Sequence, residues 1–479
     1  MDIEKLQRRQ SLKVIASEAI MVITVIITVV ILGFVVSGYW LNSNFEVERQ
    51  GMLQIYSTPT GASVEIDGES SWLQRTNTSK VLASGEHTVT LTKDGYDSWS
   101  KTINISEGLL YRIHYPRLFL KERSTEKVLD ATNTSLATMS ADHELLILIN
   151  DTTSWSVVNL NSNNVVEKKI DIAKFFQSAS VTEDKENGIF EGEILDIDWD
   201  RDSAHALFKV KYRDNIEWVL LDVKNIEKSI NLSKEFGWDF DNIKILDNSS
   251  NNLLAIQNGK LCKIDVSGRS ISAILAENVI DFDYYNNEIV FSAQTPTEGD
   301  IIKELSGDSS SYFVGYFKLG DERITGLTYV NSPAKVAISR FYDDKLITIL
   351  DNDVVNVYKE DGLENILTSR IAFIPEKLKV GTNGEFIIMY QGANIATLDM
   401  EASVVREWSI ENANFDWLDN YMIYVINDEG NLVTYDYDGL NRRVLAADAS
   451  SHFPAGITDN KWLYYFADGN LVREWLIPR

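Results

Sequence analysis

The stretch YMIYVINDEGNLVTYDY, Tyr421 to Tyr437, decides the fold. An apolar run meets a Gly-containing turn and then a second run that ends apolar–polar–apolar, the pattern of a β-hairpin. The pattern recurs as NLLAIQNGKLCKIDV from Asn252, EFIIMYQGANIATLDM from Glu385 and WLYYFADGNLVREWL from Trp462. Weaker copies begin near Leu145, Ala206, Ile289 and Leu346, so eight hairpins start near residues 145, 206, 253, 289, 346, 386, 422 and 463. Their separations bracket the ~40 to 45 residues of a four-stranded propeller blade. The longer gaps hold insertions at Ala173 to Glu193 and Gln294 to Ser311. Short third and fourth strands recur between hairpins, as at Arg443-Val444-Leu445 and Glu364 to Leu367. The repeat predicts an all-β propeller over residues 119–479, with eight blades or, given the irregular third to fifth repeats, seven.

The last hairpin ends at Ile477 without room for an outer strand. Glu126-Lys127-Val128-Leu129-Asp130 has the outer-strand pattern and precedes the first repeat. It is therefore expected to complete the final blade, closing the ring so that no sheet edge stays exposed.

Amino-terminal to the ring, residues 52–118 read as short alternating strands, with Val89-Thr90-Leu91 and Ile103-Asn104-Ile105 in the two-residue period. Turn residues punctuate them at Pro59-Thr60-Gly61, Asp67-Gly68, Ser84-Gly85 and Asp94-Gly95. A small β-sandwich follows. The run Ser57 to Ala62, the Val64-Glu65-Ile66-Asp67-Gly68 strand and turn, Leu82 to Gly85 before His87, and Gly95-Tyr96 with Trp99 resemble the PEGA domain of bacterial envelope proteins. Pro-Thr-Gly-Ala stands where that family has Pro-Glu-Gly-Ala, and its Gly-x-Thr-Pro is missing around Thr76 to Ser79. The resemblance implies an envelope module without a catalytic site, and Tyr96 and Trp99 read as its core aromatics. In the ring, Ile197 to Asp202 before Ala204 to Phe208, and Ser140-Ala141-Asp142 before Leu145, are similar to TolB-type or WD40-like propeller repeats. That similarity implies a fold and not an activity.

Ala19 to Trp40 carries no charged residue and has the ~20-residue length of a bilayer span. Lys5, Arg8, Arg9 and Lys13 precede it and Glu46 and Glu48 follow, which places the amino terminus in the cytoplasm. A cleaved signal peptide is the rival reading, but Ser37-Gly38 is a poor cleavage signal. The expected order is a cytoplasmic segment at 1–18, a transmembrane helix at 19–40, a linker at 41–51, and extracellular or periplasmic domains thereafter. The protein is thus expected to be a single-pass cell membrane protein.

Lys and Arg total 45 against 71 Asp and Glu, a net charge of -26. The excess repels phosphate backbones and excludes nucleic acid as a partner. With one cysteine, Cys262, no intramolecular disulfide can form. The five histidines have no zinc-motif spacing. Asp196, Asp198, Asp200 and Asp202 alternate as calcium ligands do, but the loop's Gly and distal Glu are absent. On a strand they would share one solvated face, with Ile197, Trp199 and Arg201 on the other. No Gly-x-Ser-x-Gly elbow occurs, and His205 and His452 read as structural. Trp155, Trp218 and Trp475 fall in second hairpin strands as core residues. No catalytic, cofactor-binding or metal-binding residue is assigned and no cofactor is expected. The expected function is that of a membrane-anchored binding or scaffold protein, its partner a cell-wall or surface-layer polymer or an envelope protein. The two insertions would contribute to contact. The alternative is an extracellular hydrolase or lyase acting on glycan or peptide in the propeller channel, because a carboxylate pair is recognised in space and not by spacing.

Overall fold

The computed structural model describes residues 3–36, 39–41, 47–161, 165–176, 181–182, 188–200, 202–246, 251–294, 311–321, 324–359 and 364–477. The chain divides into two compact units, Met1–Glu122 and Arg123–Arg479.

The first unit opens with a helix, Ile3–Val36. The polar residues before position 19 and the apolar stretch after it thus lie on one continuous helix. Among the described residues, no helix is long and apolar enough to cross a membrane. The described apolar side chains of this helix, Ile20 to Val30 and Leu32, are each more than half exposed. Tyr39–Leu41 is a strand paired antiparallel with Val47–Arg49, and Val47–Ile55 runs on as one strand. This corrects the expected end of the helix at Trp40 and the expected linker at 41–51. Gly51 sits inside that strand because a Cβ there would lie 2.4 Å from the Ser106 carbonyl oxygen.

Val47–Ile55 pairs antiparallel with Thr78–Ala83 and parallel with Leu110–Ile113. A second sheet runs in the order Glu69–Arg75, Ser63–Ile66, Gly85–Thr92, Trp99–Ile105. Along Trp99–Ile105 alternate residues are buried, as the pleat requires. Leu53, Ile55, Val89, Leu91 and Trp99 form the core. The Asp67-Gly68 turn has both residues at positive φ, 53° and 81°, the conformation that favours these residue types in two-residue hairpins. Thr76 ties the opening loop to the sheet, bonding Ser57 Oγ at 2.7 Å and accepting the Ala62 amide at 3.0 Å.

The second unit contains, among the described residues, eight four-stranded antiparallel sheets and one two-stranded ribbon. The second strands of the eight sheets are Leu145–Ile149, His205–Tyr212, Asn252–Gln257, Glu288–Gln294, Asp344–Asp351, Phe386–Gln391, Met422–Ile426 and Trp462–Ala467. Each pairs with the next strand in sequence, so the recurring motif is the middle hairpin of every sheet.

Adjacent sheets bury apolar faces against each other. Trp155 and Phe208 join the first to the second, Leu220 and Leu253 the second to the third, and Leu254 and Phe291 the third to the fourth. Val314 and Ile347 join the fourth to the fifth, and Val357 and Ile387 the fifth to the sixth. Phe386 stacks on Tyr437 at 4.0 Å between the sixth and seventh. Tyr424 OH accepts the Ala455 amide between the seventh and eighth. Tyr464 and Phe466 of the eighth then pack on Leu146 and Leu148 of the first, and the circle returns on itself.

The outer strand of the eighth sheet is Thr125–Asp130, paired antiparallel with Asn470–Glu474. A buried polar cluster staples it. Glu474, 5% exposed, accepts Arg123 Nε at 2.8 Å, Thr125 Oγ1 at 3.1 Å and Tyr465 OH at 2.8 Å. Arg473 bonds Glu126 and lies 4.0 Å over the Trp462 ring.

Trp155 and Trp218 are buried as expected of core aromatics, and Trp475 is half-buried. Cys262 is free and buried. The described ends of the 173–193 insertion are not free loop. Phe176 and Phe190 are buried with their rings 5.6 and 5.2 Å from Trp155, so this insertion is bolted to the core at both ends. Of the 294–311 insertion, residues 295–310 lie outside the described residues.

Candidate functional site: the central channel

In each sheet the first strand lies at the axis, where neighbouring sheets converge. On the fourth sheet's first strand, Val279–Tyr285, two carboxylates reach the first strand of the fifth, Lys335–Phe341. Asp281 Oδ2 accepts the Val336 amide at 3.0 Å and Asp283 Oδ2 the Ile338 amide at 2.9 Å. The other oxygen of Asp283 holds Lys244 Nζ at 2.9 Å, from the third sheet's first strand, Asn242–Ile245. Lys379, on Lys377–Val380 of the sixth sheet, pairs with Asp416 on Phe415–Trp417 of the seventh. Gly456 of the eighth is required where the first sheet crowds in, since a Cβ would meet Met139 Sδ at 2.5 Å and the His143 ring at 2.9 Å.

Charge on these strands is mostly neutralised in place. Burial works against the Lys244 cation, but Asp283 and Asp281 more than offset it and raise its pKa. Burial pushes Asp281 up despite Lys244. His143 is driven down by burial, against the pull of Asp416 and Asp419, and is neutral at pH 7.

Asp198 is the exception. It lies on the second sheet's first strand, Glu193–Trp199, open to channel solvent and without a hydrogen-bond partner among the described residues. Protein surrounds it closely enough to raise its pKa to about 6, with Asp196 and Asp283 adding to the burial effect and Lys244 and Lys379 opposing it. These influences arrive from the third, fourth and sixth sheets, so the groups face one common space. A carboxyl poised near neutrality is equipped to give or take a proton.

The four alternating aspartates do not share a face, contrary to the sequence expectation. The strand ends at Trp199, so only Asp196 and Asp198 lie on it. Asp200 is buried and turns back to accept the Ala204 and His205 amides at 2.7 and 2.9 Å and His205 Nδ1 at 2.6 Å. Burial alone would raise its pKa, but the His205 bonds hold it below the usual range. His205 is therefore a structural residue of the turn, and Arg201 lies outside the described residues. His452 is exposed at a rim and bonds Ser451 Oγ at 2.9 Å.

The channel charges Lys244, Asp281, Asp283, Lys379 and Asp416 were not singled out from sequence. Their signal is a short apolar–charged alternation just before each hairpin, as in Asn242-Ile243-Lys244-Ile245 and Asp281-Phe282-Asp283-Tyr284.

Residues 50–117 match the PEGA domain family model. No curated relative matches the chain. Among solved structures, the C-terminal WD40 domain of Sif2 is 9% identical with a TM-score of 0.46, over 74% of this chain and 99% of that one. An oligogalacturonate lyase from Vibrio parahaemolyticus is 11% identical with a TM-score of 0.37, over 58% and 88%. PorZ of Porphyromonas gingivalis, a surface component of the type-IX secretion system, is 12% identical with a TM-score of 0.39, over 71% and 42%. At these scores no functional argument passes from them to this chain. The family match and the ring of sheets together identify a PEGA domain at residues 50–117, followed by a β-propeller.

Proposed function

We propose that the chain is a membrane-anchored binding or scaffold protein of the bacterial cell envelope, its PEGA domain and eight-bladed propeller lying outside the cytoplasm. The observation that carries the binding role is the state of the channel: its charges are paired to one another across sheets, as in Lys244–Asp283 and Lys379–Asp416, and so form a fixed polar lining. The anchor is supported by the opening helix. Its apolar side chains lie open on all sides, and its threonines satisfy their own hydroxyls, Thr24 on the Ile20 carbonyl and Thr28 on the Thr24 carbonyl, both at 2.8 Å. The stretch at residues 20–30 of this helix, apolar on every face with its two threonine hydroxyls bonded internally, suits lipid. The partner is a wall or surface-layer polymer or an envelope protein, and not nucleic acid.

Asp198 favours a second reading, a hydrolase or lyase working in the channel, with Asp198 as the proton donor. One experiment separates the two. The full chain in detergent micelles is incubated with wall fragments and surface proteins, the captured material is weighed, and products are sought by mass spectrometry. Capture without products, weakened in Lys244→Ala/Lys379→Ala, supports binding. Turnover abolished by Asp198→Asn replaces the binding reading with the enzymatic one.

A further inference from the structure

Successive strands of each sheet run antiparallel. First-to-second and third-to-fourth turns therefore lie on one rim of the ring, and second-to-third turns and sheet-to-sheet crossings on the other. The strands flanking both insertions, Val166–Asp171 with Glu193–Trp199 and Glu288–Gln294 with Tyr312–Lys318, open onto this second rim. Thr125, which begins the closing strand, lies on the first.

On the second rim, between the seventh and eighth sheets, is a cleft of about 380 Å3, at the small end of the ~300 to 1,000 Å3 of ligand sites. Two sheet-to-sheet crossings and one second-to-third turn build it, and Asn412, Asn414, Asn427, Asp428, Ser451 and His452 line it. Part of this lining is fixed scaffold. Asn427 Oδ1 accepts the Glu429 and Asn431 amides at 3.2 and 2.9 Å while its Nδ2 bonds Glu411 at 2.9 Å. Glu411 is held in turn by Tyr435 OH at 2.9 Å and by Arg442. Asn412 Nδ2 bonds Asp428 Oδ1 at 3.1 Å.

The remaining valences point to a ligand class. The Asn414 side-chain amide, His452 Nε2 and Asp428 Oδ2 are exposed to the cleft's solvent and have no hydrogen-bond partner among the described residues. Together they offer donors and acceptors around one carboxylate. That set matches neighbouring hydroxyls, each of which both gives and accepts a hydrogen bond, and it lacks the cationic fork that a phosphate or carboxylate ligand would want. We propose that this cleft binds a neutral glycan through its hydroxyls. The inference rests on the binding reading for its class of partner and adds a contact at the rim to the channel lining.

The test uses the full chain in detergent micelles, titrated with N-acetylchitotetraose and maltotetraose and applied to a neutral-glycan array. Saturable binding is expected. Asn414→Ala and His452→Ala should each weaken it by about fivefold or more, the loss of one net hydrogen bond, with thermal transitions like the parent's. No binding to any array member, or binding indifferent to both substitutions, overturns the assignment. Calcium chloride is titrated alone, and saturable calcium binding lost in Asp428→Asn would assign a cation site instead. Envelope material captured by the Asn414→Ala/His452→Ala chain as well as by the parent would sink the cleft and leave the binding reading standing, whereas a parent chain that captures nothing would sink that reading itself.

Discussion

Replacing Glu474 by Gln should loosen the ring at its seam. The carboxylate is the hub that joins Arg123, Thr125 and Tyr465, and its side chain and that of Arg123 are 7% and 11% exposed. Gln keeps the shape and one acceptor but leaves the Arg123 guanidinium buried without its countercharge. Removing one partner of such a pair costs about 3 to 5 kcal/mol, and the hydrogen bond that Gln can still accept returns about 1 kcal/mol. A net loss of about 3 kcal/mol is expected. With a denaturant slope of about 3 kcal/mol per molar urea, the upper end for small proteins, the midpoint should fall by about 1 M. The lesion is local, so limited proteolysis should first cut near Thr125–Asp130 and free the edge of the final sheet. The control is Arg123→Met/Glu474→Leu, which removes both charges and should recover much of the loss, since apolar replacement of a whole buried pair is close to neutral. A Glu474→Gln midpoint within about 0.2 M of the parent, taking the same slope, with unchanged cleavage, would refute the claim that this cluster holds the closing strand.

Phe190→Ala removes a ring buried against Trp155 and Phe176 and should cost about 3 kcal/mol in denaturant unfolding, although it lies in what reads as a loop. In the PEGA domain, burial alone would lower the His87 pKa, but Asp67 at 2.6 Å and the Ala83 carbonyl carry it above the ordinary value. Its stabilisation is complete below the unfolded value of 6.5 and is lost as pH rises through the folded one. Asp67, lowered chiefly by the His87 bond, loses its own share as pH falls through its depressed folded value. An NMR titration of the His87 ring should show the raised midpoint, and Asp67→Asn should bring it down.

The hairpin repeat was legible because each middle hairpin is buried on both faces and cannot avoid long apolar runs, as in Met422–Ile426 and Leu432–Asp436. The strand Thr125–Asp130 carries an outer-strand pattern and takes the outer place in the eighth sheet. The channel was harder to read. Its first strands alternate more and less buried residues, so their two or three charges resemble any solvated edge until curvature brings five sheets to one axis. The aspartate run misled for a related reason: alternation implies a shared face only while the strand lasts, and this strand ends at Trp199, with Asp200 turned back onto the Ala204 and His205 amides. The docking of Phe176 and Phe190 was hidden because an insertion's length says nothing about where its aromatics go.

Asp198 bears directly on whether the channel binds or reacts, because its pKa has opposite consequences for stability and for chemistry. Raised from 3.8 to about 6, the carboxyl stabilises the fold while protonated, fully so below 3.8, and that stabilisation is lost as pH rises through 6. The difference corresponds to about 3 kcal/mol unscreened, but more than a third of the side chain meets solvent, so about 1 kcal/mol is expected in practice. Asp198→Asn should therefore match the parent near pH 4 and exceed it by about 1 kcal/mol at pH 7, in unfolding curves taken across that range. Equal stabilities at both pH values would mean that channel water solvates the carboxylate fully. Asp198 would then be an ordinary acid at neutral pH, and the enzymatic reading would lose its proton donor. A confirmed pH-dependent gain would identify a carboxylate kept at a cost to the fold, where the ring brings charges from five sheets together.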